Sequence, residues 1–175
     1  MESIKLVPPS KEYEMQILDY KNEYLQSGDQ FHGTAGLDKF QDLDEWLSRI
    51  EKNSKEETVR EGWVPSSTFL AIRDFDNKMI GMIDVRHRLT ESLLQFSGHI
   101  GYSVRKSERE KGYAKEMLRM ALGVCKDINI NRVLVTCNKE NIASAKTILS
   151  NGGKLENEVV EGNQLTQRYW ITLKE

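Results

Sequence analysis

His99-Ile100-Gly101-Tyr102-Ser103-Val104 runs into Arg105-Lys106-Ser107-Glu108-Arg109-Glu110-Lys111-Gly112-Tyr113-Ala114-Lys115, and this stretch decides the fold. An apolar strand over 99–104 feeds a turn, and an amphipathic helix leaves it over 113–127. Two small residues, Gly112 and Ala114, fall where that helix begins. Without bulk there, an anion can approach the backbone N–H groups of the first helical turn, which the helix dipole makes electropositive. Lys106, Arg109, Lys111 and Lys115 add side-chain charge around them. The other reading is an ordinary strand-to-helix turn with a solvated basic rim. The strand before the turn and Asn141 downstream favour the anion site.

Arg109-x-x-Gly112-x-Ala114 resembles the acetyl-CoA-binding motif of the GNAT (GCN5-related N-acetyltransferase) superfamily, Arg/Gln-x-x-Gly-x-Gly/Ala. Ile100-Gly101-Tyr102 resembles the strand that precedes the motif in one branch of that superfamily. The resemblance is strongest over 97–150. It implies a GNAT-type α/β (α+β) fold: a mixed, mostly antiparallel central sheet flanked by helices and splayed between the strands ending at Val104 and Cys137. It implies acetyl-CoA as co-substrate. The thioester carbonyl is assigned to a backbone N–H near Tyr102, and pantetheine to the main chain of Tyr102, Ser103 and Val104. Pyrophosphate falls to Arg109, Glu110, Lys111, Gly112, Tyr113, Ala114 and Lys115. Asn141, with Ser144 one turn on, is assigned to the pantetheine or ribose side. Asn141 is equally a plain helix N-cap, and the two roles coexist.

The rest of the chain reads in the order β-α-α-β-β-β-α-β-α-β-β. A strand over 4–7 stops at Pro8-Pro9, and Ser10 is the expected N-cap of a helix to about Leu25, ended by Gly28. A second helix is expected over 37–52, with Phe40, Leu43, Trp46, Leu47 and Ile50 on one face, followed by a polar loop over 53–67. Strands over 68–73 and 79–88 form a hairpin about Asp76-Asn77, and 89–96 connects it to the motif strand. A buried strand over 131–137, a helix over 141–150 closed by Gly152-Gly153, and a hairpin about Gly162-Asn163 complete the pattern. One domain over 1–175 is expected, with its cofactor-binding core over 97–151.

The net charge of −2 suggests neither nucleic acid nor a membrane surface, and no run is long enough to span a bilayer. The N-terminus lacks a charged leader followed by an apolar stretch, so a cytoplasmic protein is expected. Cys125 and Cys137 read as buried thiols, and the scattered His32, His87 and His99 argue against a metal site.

Acetyl transfer needs a neutral amine, a donor for the charge that develops on the carbonyl oxygen, and a route for the thiolate. His99 is the candidate base, sharing a strand face with Gly101 and Ser103; the alternative is a histidine bonded inside the sheet. Many GNAT members carry a proton-donating tyrosine two turns into the last helix, and that slot here holds Ile148. Tyr102, Ser144 and Tyr169 remain as donors, or the thiolate leaves unassisted. Arg86, His87 and Arg88 end the neighbouring strand and can meet an acidic group on the acceptor, or simply be solvated. Phe31 and His32 lie in the loop that shapes the acceptor pocket in this superfamily. The expected activity is direct acetyl transfer in a ternary complex to a primary amine of a small molecule. A peptide or protein acceptor and a non-catalytic CoA-binding module are the alternatives. An exposed edge of the terminal hairpin can pair across a homodimer.

Overall fold

The computed structural model describes residues 2–173. The elements are β1 (Ile4–Val7), α1 (Glu14–Ser27), α2 (Leu43–Asn53), β2 (Ser66–Arg73), β3 (Met79–Arg86), β4 (Ile100–Val104), α3 (Tyr113–Asp127), β5 (Arg132–Asn138), α4 (Ile142–Ser150), β6 (Lys154–Glu161) and β7 (Gln164–Thr172). They form two antiparallel sheets, β1-β2-β3-β4 and β5-β7-β6. The sheets meet where β4 starts. Gly98 bridges Val135, and the His99 N–H donates to the Leu134 carbonyl at 2.8 Å. Beyond that point no ladder joins β4 to β5 among the described residues, so the expected splay is wide enough to divide the sheet in two.

Each face of the first sheet buries its own core. Ile83, Val85, Ile100 and Val104 pack with Met117, Leu118 and Ala121 of α3, Val133 and Val135 of β5, and Ile148 of α4. On the other face Leu70, Ile72 and Met82 pack with Ile17, Tyr20 and Tyr24 of α1 and Trp46 of α2. Each such aliphatic side chain contributes about 1.5–3 kcal/mol when fully buried, so these stripes hold the helices to the sheet.

Local structure departs from the sequence reading in four places. Ser10 makes no side-chain cap, and the chain enters α1 through a 3-10 turn at Lys11–Tyr13. The helix expected over 37–52 is split: a 3-10 turn at Leu37–Lys39 ends at an extended Phe40, and α2 starts afresh. Asp42 causes the restart, its carboxylate accepting the Asp44 N–H at 2.8 Å. The hairpin is shifted: β2 begins at Ser66 and β3 ends at Arg86, each two residues earlier than expected. Finally, the connector carries a π-helical turn at Leu93–Ser97. Arg168 holds that turn by donating from Nε and Nη2 to the Leu94 carbonyl, at 3.1 and 2.8 Å.

Candidate active site

The open edge of β4 is set by hydrogen-bond alternation. The Arg86 N–H donates to the His99 carbonyl and the Arg105 N–H to the Ile80 carbonyl. In an antiparallel pair every second residue faces the partner strand. Gly101 and Ser103 therefore spend their backbone groups on β3, while Tyr102 and Val104 aim theirs at the splay. This corrects the assignment of Ser103, whose main chain is used by the sheet. Its buried hydroxyl also bonds Tyr20 Oη at 2.5 Å and the His32 carbonyl at 2.6 Å. The Val104 carbonyl accepts from Tyr24 Oη and from Arg109 Nε, at 2.7 and 3.1 Å.

Beyond β4 the chain makes a 3-10 turn at Lys106–Glu108 and reaches α3 through Glu110 (φ 62°) and Gly112 (φ 87°), both left-handed. Gly112 is the N-cap residue and supplies no side-chain cap. Within α3 the first N–H that returns to the helix is that of Glu116, to the Gly112 carbonyl. The N–H groups of Tyr113, Ala114 and Lys115 thus lie at an uncapped, electropositive end.

The structure redistributes the charges expected there. Arg109 turns inward, to Val104, to Asp29 at 2.9 Å and to Tyr24 Oη at 3.3 Å. Lys111 bonds Glu108 at 2.8 Å. The Tyr113 side chain is core, its hydroxyl accepting from Arg73. Lys106, Glu110 and Lys115 are exposed beside the turn. Sequence reasoning passed over Glu108, which is 4% exposed and receives Arg73, Lys78 and Lys111 at 3.0, 2.6 and 2.8 Å. Burial alone would raise its pKa, but hydrogen bonds from Lys111 and Lys78 and the charges of Lys78 and Arg73 bring it down to about 2. The available signal was an acid in a basic turn, three residues before a lysine.

Across the splay, Tyr102 Oη and Ser144 Oγ lie 2.8 Å apart, joining β4 to α4. Burial pushes the Tyr102 phenol up to about 12. The neighbouring Cys137 thiol is also raised by burial. Asn141 caps α4 by accepting the Ser144 N–H at 3.1 Å, and its side-chain amide group stays at an exposed position. Ile148 is fully buried in the core beneath α4.

His99 has a different job from the expected one. Its Nδ1 accepts the Leu134 N–H at 2.9 Å, while its own N–H donates to the Leu134 carbonyl. The ring thus does the work of a strand carbonyl at the point where the sheets part. The lone pair that a general base needs is committed, and the proton sits on Nε2. Burial, with the charge of Arg86, lowers its pKa to about 4. The reading of a histidine bonded inside the sheet is the one that fits.

On the α1 face, the loop over 29–36 lies against β4. Gly33 (φ 68°) approaches so closely that a Cβ there would stand 2.1 Å from the Gly101 carbonyl oxygen. The basic triplet, with Arg86 ending β3 and His87 and Arg88 just beyond it, is internally partnered. Arg86 donates to the Gly98 carbonyl at 3.0 Å, His87 Nε2 meets Ser67 Oγ at 2.8 Å, and Arg88 pairs with Glu56 at 2.6 Å.

This geometry, an uncapped helix start after a strand with an open edge, agrees with the comparisons to known proteins. Among solved structures, a ribosomal L7/L12 alpha-N-protein acetyltransferase in complex with coenzyme A superposes with a TM-score of 0.69 at 15% identity, over 98% of this chain and 94% of that one. A chimera of the Vibrio cholerae spermidine N-acetyltransferase gives 0.67 at 15% identity, over 97% and 95%. Among curated proteins none matches the sequence significantly. At these identities the structures establish the fold. The sequence model of the acetyltransferase (GNAT) domain adds the lineage by matching residues 17–154, which span both the loop on β4 and the helix start at Gly112. The chain therefore belongs to the GNAT acetyltransferase family.

Proposed function

We propose that this protein transfers the acetyl group of acetyl-CoA directly to a primary amine of a small molecule, within a ternary complex. The observation that carries the reading is the continuity of two open donor sets on one segment. The Tyr102 and Val104 edge of β4 leads, through a single turn, to the uncapped N–H groups of Tyr113, Ala114 and Lys115. Pyrophosphate fits the helix start, where Gly112 removes side-chain bulk and Lys106 and Lys115 supply charge. Pantetheine amides extend the β4 edge as a short added strand. The Tyr102 N–H then faces the thioester oxygen and stabilises the negative charge that develops there. Asn141 caps α4 with its side-chain oxygen and offers its side-chain NH2 to the pantetheine or ribose side.

The Tyr102–Ser144 hydroxyl pair fills the role left vacant by Ile148. A phenol near 12 stays protonated at neutral pH, so it donates a hydrogen bond to the leaving sulfur without ionising. A covalent acetyl-cysteine route lacks support. Burial holds Cys125 near 12 and raises Cys137, so neither offers a thiolate.

Calorimetry with acetyl-CoA tests the reading, with Gly112→Trp beside the parent. The parent is expected to bind, and the variant at least tenfold more weakly, because an indole would cover the helix start and the residue would be strained at φ 87°. A parent that fails to bind acetyl-CoA sinks the proposal.

A further inference from the structure

Asp84 is a buried carboxylate on the face of the sheet opposite α3 and α4. It lies mid-strand in β3 and is 6% exposed. Its Oδ1 accepts the Thr68 hydroxyl at 2.7 Å. Among the described residues the other carboxylate this buried is Glu108, which is held by three cations. Among the described residues Asp84 has no cation within ion-pair distance. Burial raises its pKa, opposed by the charge of Arg86, the hydrogen bonds from Thr68 and Ser66, and the charge of His87 just beyond the strand. A buried charge without a cationic partner is costly, so a cation that arrives from outside is bound strongly there.

Its position puts it beside the transfer site. Met82 belongs to the core under α1 and α2, while Ile83 and Val85 belong to the other. Alternation therefore places Asp84 on the Met82 side, the side of the loop over 29–36. Its cross-strand partner is Gly101, in a hydrogen-bonded pair with Cα atoms ~5.5 Å apart. Gly101 puts no side chain on this face of β4 between Asp84 and the splay at which the Tyr102 N–H is aimed. Over Gly101 sits the Gly33 backbone, its nitrogen 3.1 Å from where a Gly101 Cβ would stand, and Ser103 ties down the next carbonyl of that loop, that of His32.

We infer that Asp84 receives the ammonium group of the acceptor beneath this loop and takes its proton. The inference rests on the acetyl-transfer reading and names the residue that the strand-bound His99 leaves wanting. The acceptor class is a cationic primary amine. Its ammonium gives one proton to the Asp84 carboxylate, and the freed nitrogen lone pair forms the bond to the acetyl carbon. The C–S bond breaks with its electron pair on sulfur, and the second N–H proton passes to that sulfur. Asp84 returns its proton to solvent as the amide leaves.

The test compares the parent with Asp84→Asn. Thiol release from acetyl-CoA is followed with benzylamine, tyramine and ethanolamine as acceptors from pH 6 to 10, beside acetyl-CoA calorimetry and thermal unfolding. The variant is expected to bind acetyl-CoA like the parent and to melt no lower, since a buried charge has been removed. Its kcat/KM for amine should fall about 100-fold at neutral pH and recover as pH rises towards the amine pKa, where free amine needs no base. An unchanged kcat/KM, or a loss that follows a lowered melting temperature with an unchanged pH profile, overturns the assignment of Asp84 and leaves acetyl transfer standing. A parent that binds acetyl-CoA but releases no thiol with any of the three amines overturns both.

Discussion

Glu108→Ala is expected to lose about 3–5 kcal/mol of unfolding free energy, the cost of removing one partner from a buried ionic cluster. Arg73, Lys78 and Lys111 converge on this carboxylate from β2, the β2–β3 turn and the turn before α3. Taking it away leaves Arg73, only 11% exposed at its side chain, with like charges beside it and, among the described residues, Asp76 as its one ion-pair partner. Glu108→Gln keeps the shape and some hydrogen bonds, so it should fall between parent and Ala. The effect reaches function because Glu108 lies four residues before Gly112. With the turn loosened, the N–H groups at the start of α3 are no longer held in one arrangement, and acetyl-CoA binding should weaken along with stability. Its pKa, about 2 in the folded protein, lies below the ordinary carboxylate value. The stabilisation is therefore complete above ~4.3 and is lost as pH falls through 2. Urea unfolding at neutral pH decides the matter: a loss under 1 kcal/mol for Glu108→Ala would show the cluster to be ornamental.

His99→Ala should behave differently, with an effect that depends on pH. At pH 7.5 the substitution leaves the Leu134 N–H without its acceptor inside the sheet, costing about 1–3 kcal/mol. The parent carries a further pH dependence, because its folded pKa of about 4 lies below the unfolded value of ~6.5. The histidine's contribution is fully present above ~6.5, where the ring is neutral in both states. It drains away as pH falls, by about 2 kcal/mol at pH 5, because the unfolded chain binds the proton first. His99→Ala should lack this slope, so parent and variant converge in stability between pH 7.5 and pH 5. If the difference between them is the same at both pH values, the ring does not pin the strands as its Nδ1 contact implies. The substitution should leave no missing limb in the pH profile of acetyl transfer, since the proton-accepting role has passed to Asp84.

Much of this protein was legible in its sequence for local reasons. The hairpin at Asp76-Asn77, the end of α1 at Gly28, the cap at Asn141 and the helix start at Gly112 each rest on one residue's conformational or hydrogen-bonding preference. Each is where that preference puts it. The amphipathic stripe over 113–127 reported α3 to the residue, because its buried face repeats at the helical period. The expectation failed where two local signals competed, as at Phe40, where the apolar period ran on but Asp42 offered the better start for α2.

The site divides along the same line. The sequence by itself determined the lineage, the start of α3 at Gly112 and the strand beside it, since these depend on spacing within one continuous segment. Only the tertiary structure decided which charges serve that start. Arg109 and Lys111 turn inward because Asp29 and Glu108, placed by other segments, offer them carboxylates. It also decided that His99 bridges strands, because Leu134 is brought alongside by a crossover of 35 positions. And it alone set Asp84 apart. A carboxylate's role depends on which cations share its burial, and that is a property of packing between strands far apart in the chain.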